Sequence, residues 1–278
     1  MGNRILVIGS SGKTGKRVFS RLRQLNIDAV PASRSSAVPF DWYDQSTWEK
    51  ALHNIDKAYI TFQPDLAIPE ALNIVTAFVK LAVKSGLKKL VLLSGRGEVE
   101  AQACENVIIA SGLDYTILRC SFFMQNFSEG IWLDAITSGE FVIPGVTAKE
   151  PFVDVDDIAE VAVKSLLEDK HNGKVYELTG PELLSFGDAV SKISSGSGQE
   201  VKFAEVELSE YSAMLRSDQV PEEVISLISY LFSQVLDGRN ESVQGAIPTV
   251  LGRPATSFQQ YVAKTVSRGI WKASASIG

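Results

Sequence analysis

The sequence predicts an α/β protein whose first 120 residues form a doubly wound parallel sheet. Short continuous apolar runs, beginning with Ile5-Leu6-Val7-Ile8, are typical of strands buried on both faces. Segments of helical periodicity separate these runs, and this alternation favours parallel strands joined by helices. The first run leads directly into the glycine-rich loop Gly9 to Gly15, which is a typical junction between a strand and a helix.

Strands are predicted where an apolar run is bounded by turn-forming residues. These runs lie at 5–8, 27–32, 38–40, 57–62, 89–93 and 114–118. Helices are predicted where apolar residues recur at helical spacing, first after the glycine-rich loop (Val18, Leu22 and Leu25). The later helices are expected at 69–85 and at 101–111, where Gly112 is a helix-ending residue.

After residue 120 the pattern is less regular. We expect a helix at 122–137, a short strand at 152–153, a helix at 156–167 and the last strand of the sheet at 174–178. Beyond Gly180, helices are expected at 186–194, 209–215, 222–236 and 258–265, and a strand at 201–206. The sheet domain is therefore assigned to 1–180. A smaller, mostly helical substrate lid is assigned to 181–271 with parts of 122–153, and 272–278 to a frayed tail.

The composition is that of an ordinary globular protein: of 278 residues, 45% are hydrophobic and 22% are charged. The 27 basic and 33 acidic residues give a net charge of −6, which argues against nucleic-acid binding. The apolar runs are too short for a membrane span. Two cysteines, Cys104 and Cys120, do not make a disulfide framework. We therefore expect a cytoplasmic protein without a membrane or nucleic-acid partner.

The loop Gly9-Ser10-Ser11-Gly12-Lys13-Thr14-Gly15 predicts a dinucleotide site. Its three glycines allow a tight turn and let the backbone approach a diphosphate, which the amides and dipole at the start of the next helix stabilise. A plain structural turn is the alternative. A nucleoside-triphosphatase loop is excluded because that motif needs a glycine where this chain has Val7.

The residues after the second strand favour NADP(H) over NAD(H). NAD sites usually carry an acidic residue here, whereas this chain has Ser33-Arg34-Ser35. The Arg34 guanidinium is a forked donor suited to the 2′-phosphate, and the serine hydroxyls and Lys13 can add contacts. The alternative is that Arg34 is an ordinary solvated loop residue.

Five separated motifs of the sequence are GSSGKTG at 9–15, Asp41-Trp42, SGLDYTILRCSFFMQNF at 111–127, PFVDVDDIA at 151–159 and LGRPATSF at 251–258. In this order they resemble the NmrA-like group of atypical short-chain dehydrogenases, especially members of the NAD(P)H:quinone oxidoreductase type. The resemblance spans almost the whole chain and implies a Rossmann-type NAD(P)-binding fold.

The resemblance implies that the residues following each strand form a cofactor bed. The glycine-rich loop would hold the diphosphate, Arg34 the 2′-phosphate, and Asp41 with Trp42 would border the adenine. Residues after the later strands would line the ribose and nicotinamide; Cys120 stands where many relatives have proline. The expected cofactor contacts are Gly9, Ser11, Gly12, Lys13, Thr14, Gly15, Ser33, Arg34, Asp41, Trp42, Phe62, Gln63, Ser94, Gly95, Cys120 and Phe122.

The proton relay of short-chain dehydrogenases is missing from this sequence. That relay is a Tyr with a Lys four residues later, and none of the seven tyrosines has Lys at that position. The nearest case is Tyr115 with Arg119, on a predicted strand. Ketone reduction needs a positioned acid, which contributes roughly 10²–10⁴-fold. A reduced quinone is instead a delocalised, weakly basic anion, so its formation mainly requires correct stacking of the reactants.

We therefore expect hydride transfer from NADPH to a quinone or a similar conjugated acceptor. The alternatives are a non-catalytic NADP(H)-binding redox sensor acting through a protein partner, and an imine or enone reductase. No metal site is expected, and the protein is expected to be a monomer or homodimer. A pocket formed by Phe62, Phe122, Phe123 and Met124 suits a flat aromatic acceptor, although core packing explains these residues equally well. The candidate acceptor-pocket residues are Gln63, Ser94, Phe123 and Asn126.

Overall fold

The computed structural model describes residues 4–271. These residues divide into two compact units, and the chain passes between them several times. The first unit contains the described residues up to Cys120 together with Val155–Leu178 and Ala246–Arg253; the second contains Ser121–Asp154, Thr179–Gly245 and the described residues from Pro254 onward. The sequence-based boundary at residue 180 and the assignment of a lid remain predictions. The tail expected at 272–278 lies outside the described residues.

A seven-stranded parallel sheet is the centre of the first unit. Its strands are β1 (Ile5–Ile8), β2 (Ala29–Ser33), β3 (Val38–Pro39), β4 (Lys57–Ile60), β5 (Lys89–Gly95), β6 (Asp114–Cys120) and β8 (Lys174–Leu178). They lie in the order β3-β2-β1-β4-β5-β6-β8. The connecting helices are α1 (Lys13–Gln24), α2 (Trp48–Leu52), α3 (Ala71–Lys84), α4 (Val99–Ile109), α7 (Val155–Leu167) and α11 (Ala246–Leu251). This order confirms the Rossmann-type doubly wound fold.

An aromatic cluster fills the core beside β3 and β4. Phe40, Trp42, Trp48 and Phe78 pack mainly edge to face, with the Phe40 and Trp42 ring centroids 5.0 Å apart. Such pairs contribute about 0.5–1.5 kcal/mol beyond the burial of their area. The cluster connects α2 and α3 to the strands and fixes the segment that follows β3.

Ion pairs attach helix α7 to its neighbours in the first unit. The Arg17 Nε atom on α1 lies 2.8 Å from an Asp156 carboxylate oxygen, and both side chains are mostly buried. Arg253, just after α11, lies 2.7 Å from Asp157, whose side chain is 1% exposed. Because a buried carboxylate is costly without a partner, these arginines keep α7 in place.

The second unit has its own aromatic core and a small sheet. Its elements are α5 (Asn126–Glu129), α6 (Leu133–Ser138), β7 (Glu140–Pro144), α8 (Phe186–Ser197), β9 (Lys202–Val206), α9 (Leu208–Ser217), α10 (Glu222–Tyr230) and α12 (Phe258–Ser267). Strands β7 and β9 pair in parallel. Phe127 is fully buried and contacts the rings of Trp132, Phe141, Phe152 and Phe258.

Three sequence-based expectations for the second unit are wrong. The helix expected at 122–137 is two short helices, because the chain is extended at Gly130. The strand expected at 152–153 is one isolated bridge between Val153 and Phe123. The helix expected at 222–236 ends at Tyr230 and continues as one π-helical turn. Strand β7 was not predicted, since its short apolar run ends in Pro144.

We predict that Phe78→Ala lowers the free energy of unfolding by about 3–5 kcal/mol, because it leaves a cavity in a fully buried aromatic cluster. Chemical denaturation followed by fluorescence measures the loss. Val99→Ala, at a position where the side chain is 66% exposed, is the control and should change stability by less than about 0.5 kcal/mol. Equal stability of the two variants would contradict the packing described here.

Candidate functional site

The strand order reverses at β1: the chain adds β2 and β3 on one side of this strand and β4 and the later strands on the other. Ligands of open α/β sheets bind in the crevice beyond the carboxyl ends of the strands at such a point. The glycine-rich loop follows β1 there, so the structure places the predicted phosphate-binding residues at the position that the topology favours.

Close backbone packing explains two of the three loop glycines. Gly9 has a φ of +77°, in the left-handed region, and a Cβ there would overlap with the Thr61 hydroxyl. A Cβ at Gly15 would overlap with the Gly9 carbonyl oxygen. Helix α1 therefore begins directly against the end of β1 only because residue 15 has no side chain.

The start of α1 is suited to an anion. Gly12 is the N-cap residue, without a side chain to cap the helix, and the first turn contains no acidic residue. Helix N-termini attract anions through their amide groups and the helix dipole. A Cβ at Gly12 would lie 3.2 Å from the Gly9 carbonyl oxygen and would otherwise approach only the tip of Gln63. A larger side chain at residue 12 would thus extend into the space where an anion would lie.

A cleft of about 640 Å³ lies beside this loop and brings together seven of the predicted cofactor contacts. Those seven are Gly9, Ser11, Ser33, Arg34, Asp41, Trp42 and Gln63. The cleft lining does not include Gly12, Lys13, Thr14, Gly15, Phe62, Ser94, Gly95, Cys120 or Phe122. Its volume lies within the range of small-molecule and cofactor sites.

Arg34 is the basic residue of this cleft, and its side chain is exposed. Within the described residues, Arg34 makes no ion pair or side-chain hydrogen bond. The loop around it is well fixed: the Ser36 hydroxyl accepts a hydrogen bond from the Ser33 amide at 2.6 Å and lies 2.8 Å from the Val38 carbonyl oxygen. A rigid loop that presents an uncommitted guanidinium is suited to binding phosphate.

The predicted aromatic contacts Trp42 and Phe62 belong to the core. Trp42 is 6% exposed, and its indole N–H donates to the Thr61 carbonyl oxygen at 2.9 Å. Phe62 is 7% exposed, and its ring centroid lies 5.0 Å from that of Trp42. Trp42 lines the cleft from its core side, whereas Phe62 does not line it, and core packing explains Phe62 better than contact with an acceptor does.

Ser94 takes part in a buried network under the end of β5. Its hydroxyl donates to Glu105 at 2.6 Å, and Arg119 binds the same carboxylate through two of its nitrogen atoms. Glu105 is 1% exposed, so this charge is compensated within the core. The hydroxyl of Ser94 is therefore used structurally, which favours the structural interpretation of this residue over a role in an acceptor pocket.

Two carboxyl groups meet beside Gly95. The side chains of Asp65 and Glu98 are hydrogen-bonded to each other, and Asp65 also accepts a hydrogen bond from the Ala67 amide at 2.9 Å. A Cβ at Gly95 would overlap with the Glu98 carboxylate. Burial and the negative charge of Asp65 raise the pKa of Glu98 to about 9, and burial raises the pKa of Asp65 as well. The pair therefore retains a proton at neutral pH.

The remaining predicted residues have structural surroundings of their own. Burial raises the pKa of the Cys120 thiol, which makes a reactive thiolate unfavourable. In the second unit, the Phe122 ring stacks on Trp132 with centroids 6.3 Å apart. Phe123 forms the bridge with Val153, and the amide of Asn126 donates to the Phe123 carbonyl oxygen. An acceptor-pocket role for Phe123 and Asn126 remains a prediction.

Sequence analysis missed several residues that line the cleft. Among them are Tyr43, Thr61 and Pro64. Tyr43 follows the quoted Asp41-Trp42 pair directly, so its position in the sequence was a usable signal. Nothing in the sequence identified Thr61 as a cleft residue, because only the pairing of β1 with β4 brings its hydroxyl close to Gly9.

Among residues 4–271, no group of three or more His, Cys, Asp or Glu side chains is arranged to hold a metal ion. Likewise, no helix in the described part of the chain is long and apolar enough to cross a membrane.

No family model matches the chain. Characterised and uncharacterised proteins nevertheless resemble it over almost their full length. Prestalk A differentiation protein A of Dictyostelium discoideum is 27% identical over 95% of this chain and 92% of that protein. The uncharacterised oxidoreductase YesF of Bacillus subtilis is 28% identical, with 94% of each chain covered. An NAD(P)H azoreductase of Xenophilus azovorans is 26% identical over 92% of this chain and 96% of that protein.

Solved structures share the fold. The triphenylmethane reductase of Citrobacter sp. in complex with NADP(H) has a TM-score of 0.79 at 19% identity, with 94% of this chain and 99% of that chain covered. The quinone oxidoreductase QOR2 of Escherichia coli in complex with NADPH gives the same score, identity and coverage. These neighbours confirm the fold, and the sequence relatives that include an oxidoreductase and an NAD(P)H azoreductase fit the resemblance to NmrA-like, atypical short-chain dehydrogenases.

We predict that Glu98→Gln reduces the dependence of stability on pH. In the wild type, the pKa of Glu98 is about 9 in the folded state, above the value of about 4.3 for an unfolded Glu. The folded state therefore holds the proton more tightly, and the free energy of unfolding falls as the pH rises from about 5 to about 9. Glutamine has no proton to lose, so this fall should shrink. Denaturant melts across this range measure it.

The control for this prediction is Glu49→Gln, at an exposed position on α2. It should leave the wild-type decline intact. The contradicting result is a Glu98→Gln variant whose free energy of unfolding falls with pH as steeply as that of the wild type and of Glu49→Gln. The carboxyl pair would then hold no proton in the folded protein.

Proposed function

We propose that this protein is an NADPH-dependent oxidoreductase that transfers hydride to a quinone or a similar conjugated acceptor without a Tyr-Lys relay. The observation that carries the proposal is the cleft at the switch point of the sheet. One edge of the cleft is the glycine-rich loop at the start of α1, and an exposed Arg34 lies along it. This combination suits a diphosphate and a 2′-phosphate of the same ligand.

The residues present fit a dinucleotide. The amides at the start of α1 would hold the diphosphate, and the absence of a side chain at Gly12 leaves room for it. Arg34, with the hydroxyls of Ser33 and Ser35, would hold the 2′-phosphate. Gln63 follows β4 and Gly95 is the last residue of β5, on the side of the sheet where the nicotinamide half would lie. When bound, the reduced cofactor supplies the hydride.

The chemistry of the acceptor follows from the side chains available for proton transfer. No tyrosine in the sequence has a lysine four residues later. The position expected for the relay tyrosine is Gly97, which precedes α4, and Ala101 occupies the position expected for the lysine. An acceptor whose reduced anion is weakly basic takes its proton from water, whereas a ketone needs a positioned acid. Quinones and related conjugated acceptors meet this requirement.

The comparisons support a general oxidoreductase role. The relatives include an oxidoreductase and an NAD(P)H azoreductase, and the structural neighbours include an NADPH-dependent quinone oxidoreductase and a triphenylmethane reductase in complex with NADP(H). The preference for NADP(H) is proposed from Arg34. The expected cytoplasmic location and the monomeric or homodimeric state stay predictions.

We predict that Arg34→Ala weakens the binding of NADPH roughly 10- to 100-fold and the binding of NADH by less than about threefold. The reason is that charge-assisted hydrogen bonds, here to the 2′-phosphate, contribute about 1.5–3 kcal/mol. Isothermal titration calorimetry on both cofactors measures the effect. Arg23→Ala, which removes an exposed arginine of α1 outside the cleft, makes the same change in charge and should alter neither affinity. Equal losses for NADPH and NADH would contradict the assignment of the 2′-phosphate.

We predict that the wild type oxidises NADPH in the presence of quinones and that Gly12→Val abolishes this activity. The valine side chain would occupy the place proposed for the diphosphate, and the extended backbone at residue 12 accepts a branched residue. Loss of NADPH absorbance with a panel of quinones, enones and imines measures turnover. Gly245→Val is a matched control because a Cβ there meets nothing within 4 Å.

The outcome discriminates between the proposed function and its alternatives. Turnover with enones or imines but not with quinones would favour an imine or enone reductase. NADPH binding without turnover of any acceptor would favour a redox sensor. Unchanged turnover by a correctly folded Gly12→Val variant would contradict the proposed position of the cofactor.

A further inference from the structure

The aromatic residue next to Trp42 lines the same cleft but differs from it in exposure and in packing. Trp42 is buried, donates its indole N–H to Thr61 and contacts four other rings of the core. Tyr43 is 60% exposed, lines the same cleft, and its ring contacts no other aromatic ring among the described residues. A large exposed aromatic side chain at a cleft is a common element of binding sites.

The backbone under Tyr43 is fixed. Residues 41–44 form a tight turn in which the Asp44 amide donates to the Asp41 carbonyl oxygen at 3.3 Å. The Tyr43 amide donates to the Asp41 carboxylate at 3.0 Å, and the Trp48 indole donates to the Asp41 carbonyl oxygen at 2.7 Å. The turn is thus attached to the aromatic core on its inner side, and it presents the Tyr43 ring on its outer side.

The position in the sheet indicates which part of a dinucleotide would lie here. Tyr43 follows β3, which is the outermost strand on the β2 side of β1, and Arg34 follows β2 on that same side. In doubly wound folds this side receives the adenosine half of the cofactor, since the group that recognises the ribose follows β2. Tyr43 and Arg34 both line the cleft at this end.

We propose that Tyr43 stacks on the adenine ring of the cofactor, beside Asp41 and Trp42, which the family resemblance implies border the adenine. This inference rests on the proposed function and adds a residue to it. Partial burial and the carboxylates of Glu70 and Asp41 raise the pKa of Tyr43 above its usual value of about 10, so the phenol is neutral at pH 7. A neutral ring with a rigid backbone loses little conformational freedom when a flat base covers it. Stacking of a base on an aromatic side chain changes affinity by roughly five- to 150-fold.

The test compares ligands with and without adenine on the full chain. Calorimetric titrations use NADPH, 2′,5′-ADP and reduced nicotinamide mononucleotide with the wild type, Tyr43→Ala and Tyr43→Phe. If Tyr43 stacks on adenine, Tyr43→Ala weakens the binding of NADPH and of 2′,5′-ADP about tenfold. Tyr43→Phe keeps the aromatic ring and should bind both ligands with an affinity within about twofold of the wild type. The affinity for reduced nicotinamide mononucleotide, measurable in all three proteins at high concentration, should not change.

Each other result has a distinct meaning. Wild-type affinity in Tyr43→Ala overturns the inference, and so does an equal loss in Tyr43→Phe, because the hydroxyl rather than the ring would then make the contact. A loss for reduced nicotinamide mononucleotide as well overturns it, since the variant would have disturbed the whole site. If the wild type binds neither NADPH nor 2′,5′-ADP, the proposed function itself fails and this inference fails with it.

Discussion

The close approach of Gly15 to the carbonyl oxygen of Gly9 is the constraint on which the site depends. Helix α1 can start at the end of β1 only because residue 15 has no side chain. This contact directs the N-terminus of α1, and its partial positive charge, toward the point where the strand order of the sheet reverses. The free space at Gly12 lies at that junction, and the cleft that Arg34 lines runs alongside it.

The distribution of charge distinguishes the cleft from the rest of the first unit. Buried carboxylates elsewhere have partners: Glu105 has Arg119, Asp156 has Arg17, and Asp157 has Arg253. These pairs satisfy charges that the fold has removed from water. The Asp65 and Glu98 carboxyls have no basic partner of this kind in the described part of the chain, and the pair instead retains a proton at neutral pH. Arg34, by contrast, makes no ion pair or side-chain hydrogen bond among the described residues, which leaves its guanidinium for a ligand.

The fold was predictable from local pattern, and the site was predictable in part. Strands β1, β4 and β5 are apolar runs with clear ends, so periodicity located them within a few residues. The second unit was harder because a single extended residue at Gly130 divides what the pattern indicates as one helix. Trp42 and Tyr43 are adjacent aromatics, and only packing against Phe78 and Thr61 shows that one is core and the other exposed. The Asp65 and Glu98 pair joins residues 33 positions apart (98 − 65), and no motif connects them.

A crystal structure of the protein with NADP⁺ would locate the cofactor relative to the glycine-rich loop and Arg34. We expect the diphosphate over the first turn of α1 beside Gly12, the 2′-phosphate within hydrogen-bonding distance of Arg34, and the adenine in the cleft next to Tyr43. A cofactor bound with its diphosphate away from α1, or with its 2′-phosphate far from Arg34, would rule out the cofactor site proposed for this cleft.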